Sequence, residues 1–223
     1  MGGGFIALEL AGNIAKAGYR VRLVHRGGSL LRLDDKLTGI LREKLEESGV
    51  EFYLNTNVLS ADEKGLDTDK GHIADALKVC TFRIVPNKEL AVRSGIHAGR
   101  GILIDERFRT SAKDVYAIGD CAEYGGTICG TAKCATGHAG VLANLLVGKE
   151  DSYDFTFRSA LFKFGDLPLA IIGKTRGEGR WLDEGVKVFT DEERVVGAVV
   201  IGNPRRAFEI EKRIREGVEP TDL

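Results

Sequence analysis

The sequence predicts an α/β protein in which a doubly wound region precedes a small antiparallel region. Residues 4–17 and the stretch that starts at Asp34 or Asp35 carry apolar side chains at helical spacing, and each is followed by a short apolar strand, Val21–Val24 or Val50–Tyr53. This alternation of helix and strand is typical of a doubly wound fold. The 29 glycines, against 4 prolines, suit a fold with many tight turns between strands and helices.

The remaining elements follow from shorter patterns. Between residues 57 and 78, short runs broken at Lys64-Gly65 and Lys70-Gly71 predict a small antiparallel meander. Further strands are predicted at residues 80–85, 101–104 and 115–118, and a buried helix is predicted at residues 132–146. After the polar residues 148–151, alternating runs predict an antiparallel sheet, and residues 205–215 predict a final charged helix.

Composition and charge narrow the function classes. Apolar residues make up 43% of the chain and charged residues 29%, which is ordinary for a soluble globular protein. The net charge of -1 gives no electrostatic reason to expect nucleic acid or an anionic membrane as a partner. No apolar run is long enough to cross a bilayer, and residues 1–5 lack the basic segment of a signal peptide, so we expect a cytoplasmic protein.

The cysteines, Cys80, Cys121, Cys129 and Cys134, allow two interpretations. Four residues separate Cys129 from Cys134, a spacing also found in redox-active disulfides. The favoured interpretation is that both are small core residues on one helix. No metal site is expected, because His138 is the only histidine near them and the spacing fits no common zinc module.

The first candidate binding motif is Gly2-x-Gly4-x-x-Ala7, at the start of the first predicted helix. The two glycines allow a tight turn and a close approach to a pyrophosphate, and the third small residue lets the helix pack on a sheet. The positive helix end and its N–H groups then bind the phosphates. The alternative is a glycine-rich N-terminus without a ligand, because Ala7 replaces the third glycine and the strand that should precede the loop is absent.

Two basic residues follow the next strand. An acidic residue about 20 positions after the glycines would accept the ribose hydroxyls of NAD, but His25 and Arg26 stand there. An arginine can pair with a 2′-phosphate, which favours NADPH. The alternative is that Arg26 is a solvated residue at a strand end.

The third candidate motif is the string at residues 110–120, which ends in Gly119-Asp120 just before a predicted helix. A carboxylate at the carboxyl end of a strand can accept a hydrogen bond from a ribitol hydroxyl of a flavin. Gly119 would let the cofactor pass close to the backbone. The alternative is that Asp120 only caps a turn.

In their order and spacing, these motifs resemble those of the flavoprotein pyridine-nucleotide-disulfide oxidoreductases. The resemblance also includes Glu9, Leu33-Asp34, Ser48-Gly49-Val50 and Val85-Pro86-Asn87. Four segments are particularly similar to the NAD(P)H:rubredoxin oxidoreductases: residues 94–97, 99–105, 130–133 and 162–165. The resemblance implies a Rossmann-like NAD(P)-binding domain at residues 1–86 without its first strand. It also implies the second half of an FAD-binding domain at residues 87–150 and a small antiparallel α+β domain at residues 151–223.

The resemblance also assigns roles to residues. Gly2, Gly4 and Ala7 would bind the pyrophosphate of NAD(P)H, beside His25 and Arg26, and Glu9 would lie near the nicotinamide as the candidate catalytic residue. The flavin of FAD would be held by Gly119 and Asp120 and by the helix start at Thr131 and Ala132. The implied reaction is hydride transfer from NAD(P)H to flavin N5, followed by single-electron transfers to rubredoxin or a similar small electron carrier.

Two departures from the family pattern matter. Family members begin with a further glycine-rich unit that binds the adenosine end of FAD, and this chain has none, so we expect the 223-residue chain alone to purify nearly colourless. Arg83 stands where the family has a small residue, and its bulk could hinder nicotinamide binding. The alternatives are a truncated, non-catalytic nucleotide-binding fragment, or a water-forming NADH oxidase or ferredoxin reductase of the same family.

Overall fold

The structure is a computed structural model in which residues 2–74, 77–82, 84–177, 179–192 and 194–219 are described. The chain divides into two compact units. Unit 1 comprises Met1–Arg83, Leu161–Leu169 and Val200–Pro204, and unit 2 comprises Ile84–Ala160, Ala170–Val199 and Arg205–Leu223. The domain boundaries predicted after residues 86 and 150 remain predictions. No helix in the described ranges has the length and apolar character that crossing a bilayer requires.

The described elements have the following bounds. The helices are α1 Phe5–Lys16, α2 Asp35–Glu47, α3 Glu89–Arg93, α4 Ala132–Leu146 and α5 Pro204–Glu216. The strands are β1 Val21–Val24, β2 Val50–Tyr53, β3 Val58–Ala61, β4 Gly65–Thr68, β5 Gly71–Ala74, β6 Ile102–Leu103, β7 Ala122–Tyr124, β8 Thr127–Ile128, β9 Ser159–Phe164, β10 Leu167–Gly173, β11 Gly179–Asp183, β12 Val186–Asp191 and β13 Arg194–Ile201.

The alternation of helix and strand predicted for residues 4–53 is present in unit 1. Asp34 begins α2 by accepting a hydrogen bond from the Leu37 backbone N–H at 3.0 Å, which is the usual function of an N-cap aspartate. β1 and β2 pair in parallel, with Val21 opposite Val50. Both helices bury residues spaced three or four apart: Ala7, Leu8, Ala11 and Ala15 on α1, and Leu37, Leu41 and Leu45 on α2.

The predicted meander is also present, as the antiparallel sheet β3-β4-β5. Its side chains Leu66 and Ile73 form one buried cluster with Val24 of β1, and Tyr53 and Val58 pack against that cluster. The meander therefore packs against Val24, the last residue of β1.

Two predicted strands do not form. Residues 80–82 and 84–85 make no strand pairing, and Arg83 lies outside the described residues. Residues 115–118 make a single bridge, between Tyr116 and Arg109, because the chain folds back at Asp114, where φ is 60°. The apolar runs indicate an extended backbone. A strand also needs hydrogen bonds to a partner segment over several residues, and a local sequence pattern does not specify that partner.

In unit 2, the antiparallel pair β7-β8 joins β6, which runs parallel to β7. α4 has the predicted bounds, yet the prediction that it is buried is wrong. Of its described residues only His138 is buried, and Leu146 is 59% exposed. Small side chains make the composition of this helix apolar but contribute little apolar surface area that packing could bury. The composition alone therefore overstates the burial of the helix.

The predicted C-terminal sheet is present, with strand order β11-β12-β13-β10-β9. β11 and β12 are antiparallel, with a register shift between Trp181 and Asp183. The final charged helix is also confirmed, as α5, which buries Ala207, Ile210 and Ile214 at helical spacing.

Glu211 of α5 accepts a compact set of hydrogen bonds within unit 2. Lys133 Nζ donates to its two carboxylate oxygens at 2.6 and 2.7 Å, and Ser159 Oγ donates at 2.6 Å. Burial would raise the pKa of Glu211, but the hydrogen bonds from Lys133 and Ser159 and the lysine charge outweigh burial and hold the pKa below its ordinary value.

We expect Glu211→Gln to lower the free energy of unfolding by about 1 kcal/mol at neutral pH, a modest value because Lys133 is 55% exposed. Since the folded pKa is the lower one, this contribution is present above the unfolded pKa of about 4.3 and is lost as the pH falls through the folded pKa. The difference between wild type and variant should therefore vanish in acid.

Urea unfolding followed by the fluorescence of Trp181 measures this difference. Trp181 is the single tryptophan of the chain and belongs to the same unit as Glu211. Glu209→Gln, on the exposed side of the same helix, is the control and should change the free energy by less than about 0.5 kcal/mol. Equal stability of Glu211→Gln and wild type at neutral pH would contradict the assignment.

Candidate functional site

The loop Gly2–Gly4 lies at the carboxyl end of β1. The Gly2 backbone N–H donates to the Val24 carbonyl at 2.9 Å, and the Leu31 N–H donates to the Gly3 carbonyl at 3.0 Å. Gly2 has φ of 127°, and a Cβ there would stand 2.6 Å from Thr81 Oγ1. A side chain at position 2 would therefore be strained and in collision with its neighbour, which explains the first glycine of the motif.

Gly4 is the residue before the first turn of α1, and it is exposed. A Cβ on Gly4 would meet no described atom within 4 Å, so no contact within the chain demands glycine here. No side chain of the described residues caps α1. The N–H groups of its first turn and its positive end are thus available to an anion, while Ala7 is buried one turn further on.

His25 and Arg26 follow β1 directly, but they have different surroundings. The His25 ring lies under the loop: a Cβ on Gly3 would be 2.6 Å from its Cδ2. Burial lowers the pKa of His25, and the nearby Arg26 charge lowers it further, against a hydrogen bond that the ring donates to the Ser29 backbone carbonyl, which raises it. Arg26 is exposed and has no hydrogen bond or ion pair with the described residues. Of these two residues, Arg26 is therefore the one that carries a positive charge at neutral pH.

Glu9 lies on α1 one turn after the loop and is half-buried. Its Oε1 accepts a hydrogen bond from the Lys163 backbone N–H at 3.3 Å. On the same side of the helix, the Phe5 and Phe162 rings stack with centroids 3.6 Å apart. The structure thus brings Glu9 beside β9, and its position near a nicotinamide stays a prediction.

In unit 2, the predicted flavin residues come together at the start of α4. Gly119 is buried with φ of 70°, and the exposed Asp120 accepts a hydrogen bond from the Gly130 N–H at 3.0 Å. Thr131 is the N-cap of α4 and accepts from the Cys134 N–H at 3.2 Å, and Ala132 is the exposed first residue of the helix. Asp120 therefore does fix a turn, yet its carboxylate remains accessible at a helix N-terminus.

Two residues at this site were not predicted from the sequence as site residues. His138 is buried, and its Nδ1 accepts a hydrogen bond from the Gly119 N–H at 3.2 Å. Glu123 is buried too, and its Oε2 accepts from the Gly101 N–H at 2.8 Å. Neither belongs to a recognisable motif, although His138 lies four residues from a cysteine on one helix, a spacing that places two side chains on the same face.

The interpretation of Cys129 and Cys134 as core residues on one helix is wrong. Cys129 precedes the N-cap Thr131, only Cys134 lies on α4, and a disulfide joins the two residues with their Cα atoms 5.7 Å apart. Both are half-buried. The cause is the local turn at Gly130, which brings the chain back onto the first turn of the helix. Arg83, expected to hinder a nicotinamide, lies outside the described residues.

Comparison with protein families gives two matches. Residues 1–139 match the family described as pyridine nucleotide-disulphide oxidoreductase. Residues 158–207 match the family described as NAD(P)H:rubredoxin oxidoreductase, C-terminal domain.

Two similar curated proteins are longer than this chain. The nitric oxide reductase FlRd-NAD(+) reductase of Escherichia coli O7:K1 is 31% identical over 97% of this chain and 59% of its own length. The assimilatory nitrate reductase electron transfer subunit of Bacillus subtilis strain 168 is 26% identical over 92% of this chain and 29% of its own length. The chain thus spans less than two thirds of the curated relatives that it matches.

Solved structures share the fold. An NAD-dependent persulfide reductase from A. fulgidus has a TM-score of 0.84 at 24% identity, over 100% of this chain and 49% of that chain. Reduced Bacillus anthracis CoADR-RHD has a TM-score of 0.87 at 22% identity, over 100% and 47% of the two chains. The predicted α/β fold class is confirmed by these similarities.

The family match extends over more than half of the chain and includes both glycine motifs, Gly2-x-Gly4 and Gly119-Asp120. The resemblance found in the sequence is therefore confirmed, and the chain belongs to the pyridine nucleotide-disulphide oxidoreductase family.

Proposed function

We propose that this chain is part of a cytoplasmic, FAD-dependent NAD(P)H oxidoreductase that passes electrons from NAD(P)H through the flavin to a small redox protein such as rubredoxin. The observation that carries the proposal is the exposed, uncapped start of α1 at Gly4. A helix start with available N–H groups and no obstructing side chain is the geometry that binds a dinucleotide pyrophosphate.

In unit 1, Gly2, Gly4 and Ala7 are proposed to bind the pyrophosphate of NAD(P)H. Arg26, exposed at the carboxyl end of β1, is proposed to bind a 2′-phosphate, and His25 supports the loop from below. Glu9 is proposed to lie near the nicotinamide, where its hydrogen bond from the Lys163 N–H holds the carboxylate in one position.

In unit 2, the residues fit a flavin nucleotide. Asp120 offers an exposed carboxylate to the ribitol hydroxyls. The preceding residue is Gly119, so no side chain projects from the backbone next to this carboxylate. α4 directs its positive end, at Thr131 and Ala132, to the same place, which favours negative charge on a bound ring. The chemistry that a flavin supplies when bound is acceptance of a hydride and release of single electrons.

The proposed acceptor class rests on the second family match. Residues 158–207, which include β9 to β13, resemble the C-terminal domain of NAD(P)H:rubredoxin oxidoreductases. The E. coli relative carries FlRd-NAD(+) reductase in its name, and one similar solved structure is a covalent complex of putidaredoxin reductase with putidaredoxin. A small iron protein is therefore the acceptor that we propose.

The test measures the NAD(P)H-driven reduction of rubredoxin by the full-length protein in the presence of FAD. We expect bleaching of the visible rubredoxin absorbance by wild type, and a loss in FAD affinity of about tenfold or more in Asp120→Ala, since hydrogen bonds to a charged group are removed. Asp114→Asn, an exposed turn residue with φ of 60°, is the matched control. No oxidation of NADH or NADPH by wild type, or equal FAD affinity in both variants, would contradict the proposal.

A further inference from the structure

Three side chains at the start of α4 form a cluster that the proposed electron transfer does not use. Cys129, Cys134 and His138 place their sulfur atoms and one ring nitrogen within 4.8 Å of one another. The His138 Nε2 lies 3.5 Å from Cys134 Sγ. All three belong to unit 2 and surround the turn at Gly130.

The hydrogen bond at the other side of the imidazole fixes which nitrogen carries the proton. His138 Nδ1 accepts from the Gly119 backbone N–H, which can only donate, so Nδ1 has a lone pair and Nε2 carries the hydrogen. His138 Nε2–H therefore donates toward Cys134 Sγ. The same arrangement disfavours a metal ion, because ligation through Nε2 would move the proton to Nδ1, against the Gly119 N–H.

The two sulfur atoms have opposite neighbours. Cys134 Sγ faces the Nε2–H donor and belongs to the first turn of a helix, where negative charge is favoured. Cys129 Sγ instead lies 3.6 Å from the Thr131 carbonyl oxygen, which disfavours negative charge. Cys134 is therefore the better thiolate and the better leaving group.

We propose that Cys129 and Cys134 form a thiol–disulfide exchange centre whose substrate is a dithiol. One thiolate of the dithiol attacks Cys129 Sγ, the Cys129–Cys134 bond breaks, and its electron pair leaves on Cys134 as a thiolate that accepts the hydrogen bond from His138 Nε2. The second thiolate of the dithiol then attacks the first dithiol sulfur, which is bonded to Cys129 in the mixed disulfide. A disulfide forms within the dithiol, and Cys129 leaves as a thiolate, which takes up a proton. The dithiol is oxidised to a disulfide, and the protein disulfide is reduced by the same two electrons. This proposal does not depend on the proposed electron transfer.

The experiment uses the chain with Cys80→Ser and Cys121→Ser, so that Cys129 and Cys134 are the only cysteines that can react with the alkylating reagent. Dithiothreitol is the probe dithiol, and thiols are trapped with N-ethylmaleimide and counted by mass spectrometry. We expect two thiols to appear together and to disappear together in oxidised dithiothreitol. His138→Phe, which keeps an aromatic ring but no N–H, should slow reduction about tenfold, and His138→Gln, whose amide can both accept from Gly119 and donate to Cys134, should restore the rate.

A second measurement keeps His138 unchanged. Glutathione, which has one thiol, should leave its mixed disulfide on Cys129 rather than Cys134 in peptide mapping of the same background. Adduct on Cys134, two thiols that remain alkylatable in excess oxidised dithiothreitol, or an unchanged rate in His138→Phe would overturn the proposal. Zinc retained in a one-to-one ratio by the reduced chain, protecting both thiols from alkylation, would overturn it as well.

Discussion

Gly4→Val is expected to lower the affinity of the chain for NADPH and NADH by on the order of a hundredfold, because two charged hydrogen bonds from the helix start to a phosphate would be lost. The chain itself has room for the side chain: a Cβ on Gly4 meets no described atom within 4 Å, and Gly4 has φ of −90°, which any residue adopts. Only a ligand at the start of α1 would collide with the new methyl groups. The cost in stability should be about 1 kcal/mol or less, from the poorer N-cap.

Calorimetric titration of both nucleotides into wild type and variant measures this effect. Gly39→Val is the matched control, because Gly39 of α2 is also exposed and also has open space at its Cβ. The control should bind both nucleotides as wild type does. Equal affinities in Gly4→Val and Gly39→Val would show that the pyrophosphate does not lie at Gly4, and circular dichroism distinguishes that outcome from unfolding.

The helices of unit 1 could be predicted because their signals are local. Asp34 in front of a periodic apolar stretch specifies where α2 begins, and the spacing of Leu37, Leu41 and Leu45 specifies its buried face. The segments at residues 80–85 and 115–118 could not be resolved in the same way. Their apolar residues are local, whereas the pairing that makes a strand depends on a remote segment.

The candidate site shows the same division. The open loop at Gly4 could be predicted, because a glycine motif is a short-range feature, whereas the hydrogen bond between Asp120 and Gly130 joins residues ten positions apart. The position of Cys129 outside α4 could have been anticipated from Gly130-Thr131, because a threonine N-cap there starts the helix after Cys129. The hydrogen bond from Gly119 to His138 spans 19 residues and follows from tertiary packing alone.

Arg26→Ala is expected to remove a preference for NADPH over NADH of about tenfold. The Arg26 guanidinium is exposed and positively charged, whereas burial and the arginine itself keep the pKa of the neighbouring His25 low. A guanidinium offers a 2′-phosphate two parallel charged hydrogen bonds, whereas the ribose hydroxyl of NADH gains no comparable interaction. Because Arg26 is exposed, the preference should decrease as salt is added.

The sharpest measurement uses fragments of the two nucleotides on the same chain. 2′,5′-ADP and 5′-AMP differ only in the 2′-phosphate, so the ratio of their dissociation constants isolates the contribution of Arg26. We expect wild type to prefer 2′,5′-ADP by about tenfold and Arg26→Ala to bind both alike, with 5′-AMP affinity unchanged. Arg42→Ala, which removes an exposed arginine from α2, controls for the loss of net charge. A parallel loss for both fragments in Arg26→Ala, or no preference in wild type, would mean that Arg26 is a solvated residue at the end of β1.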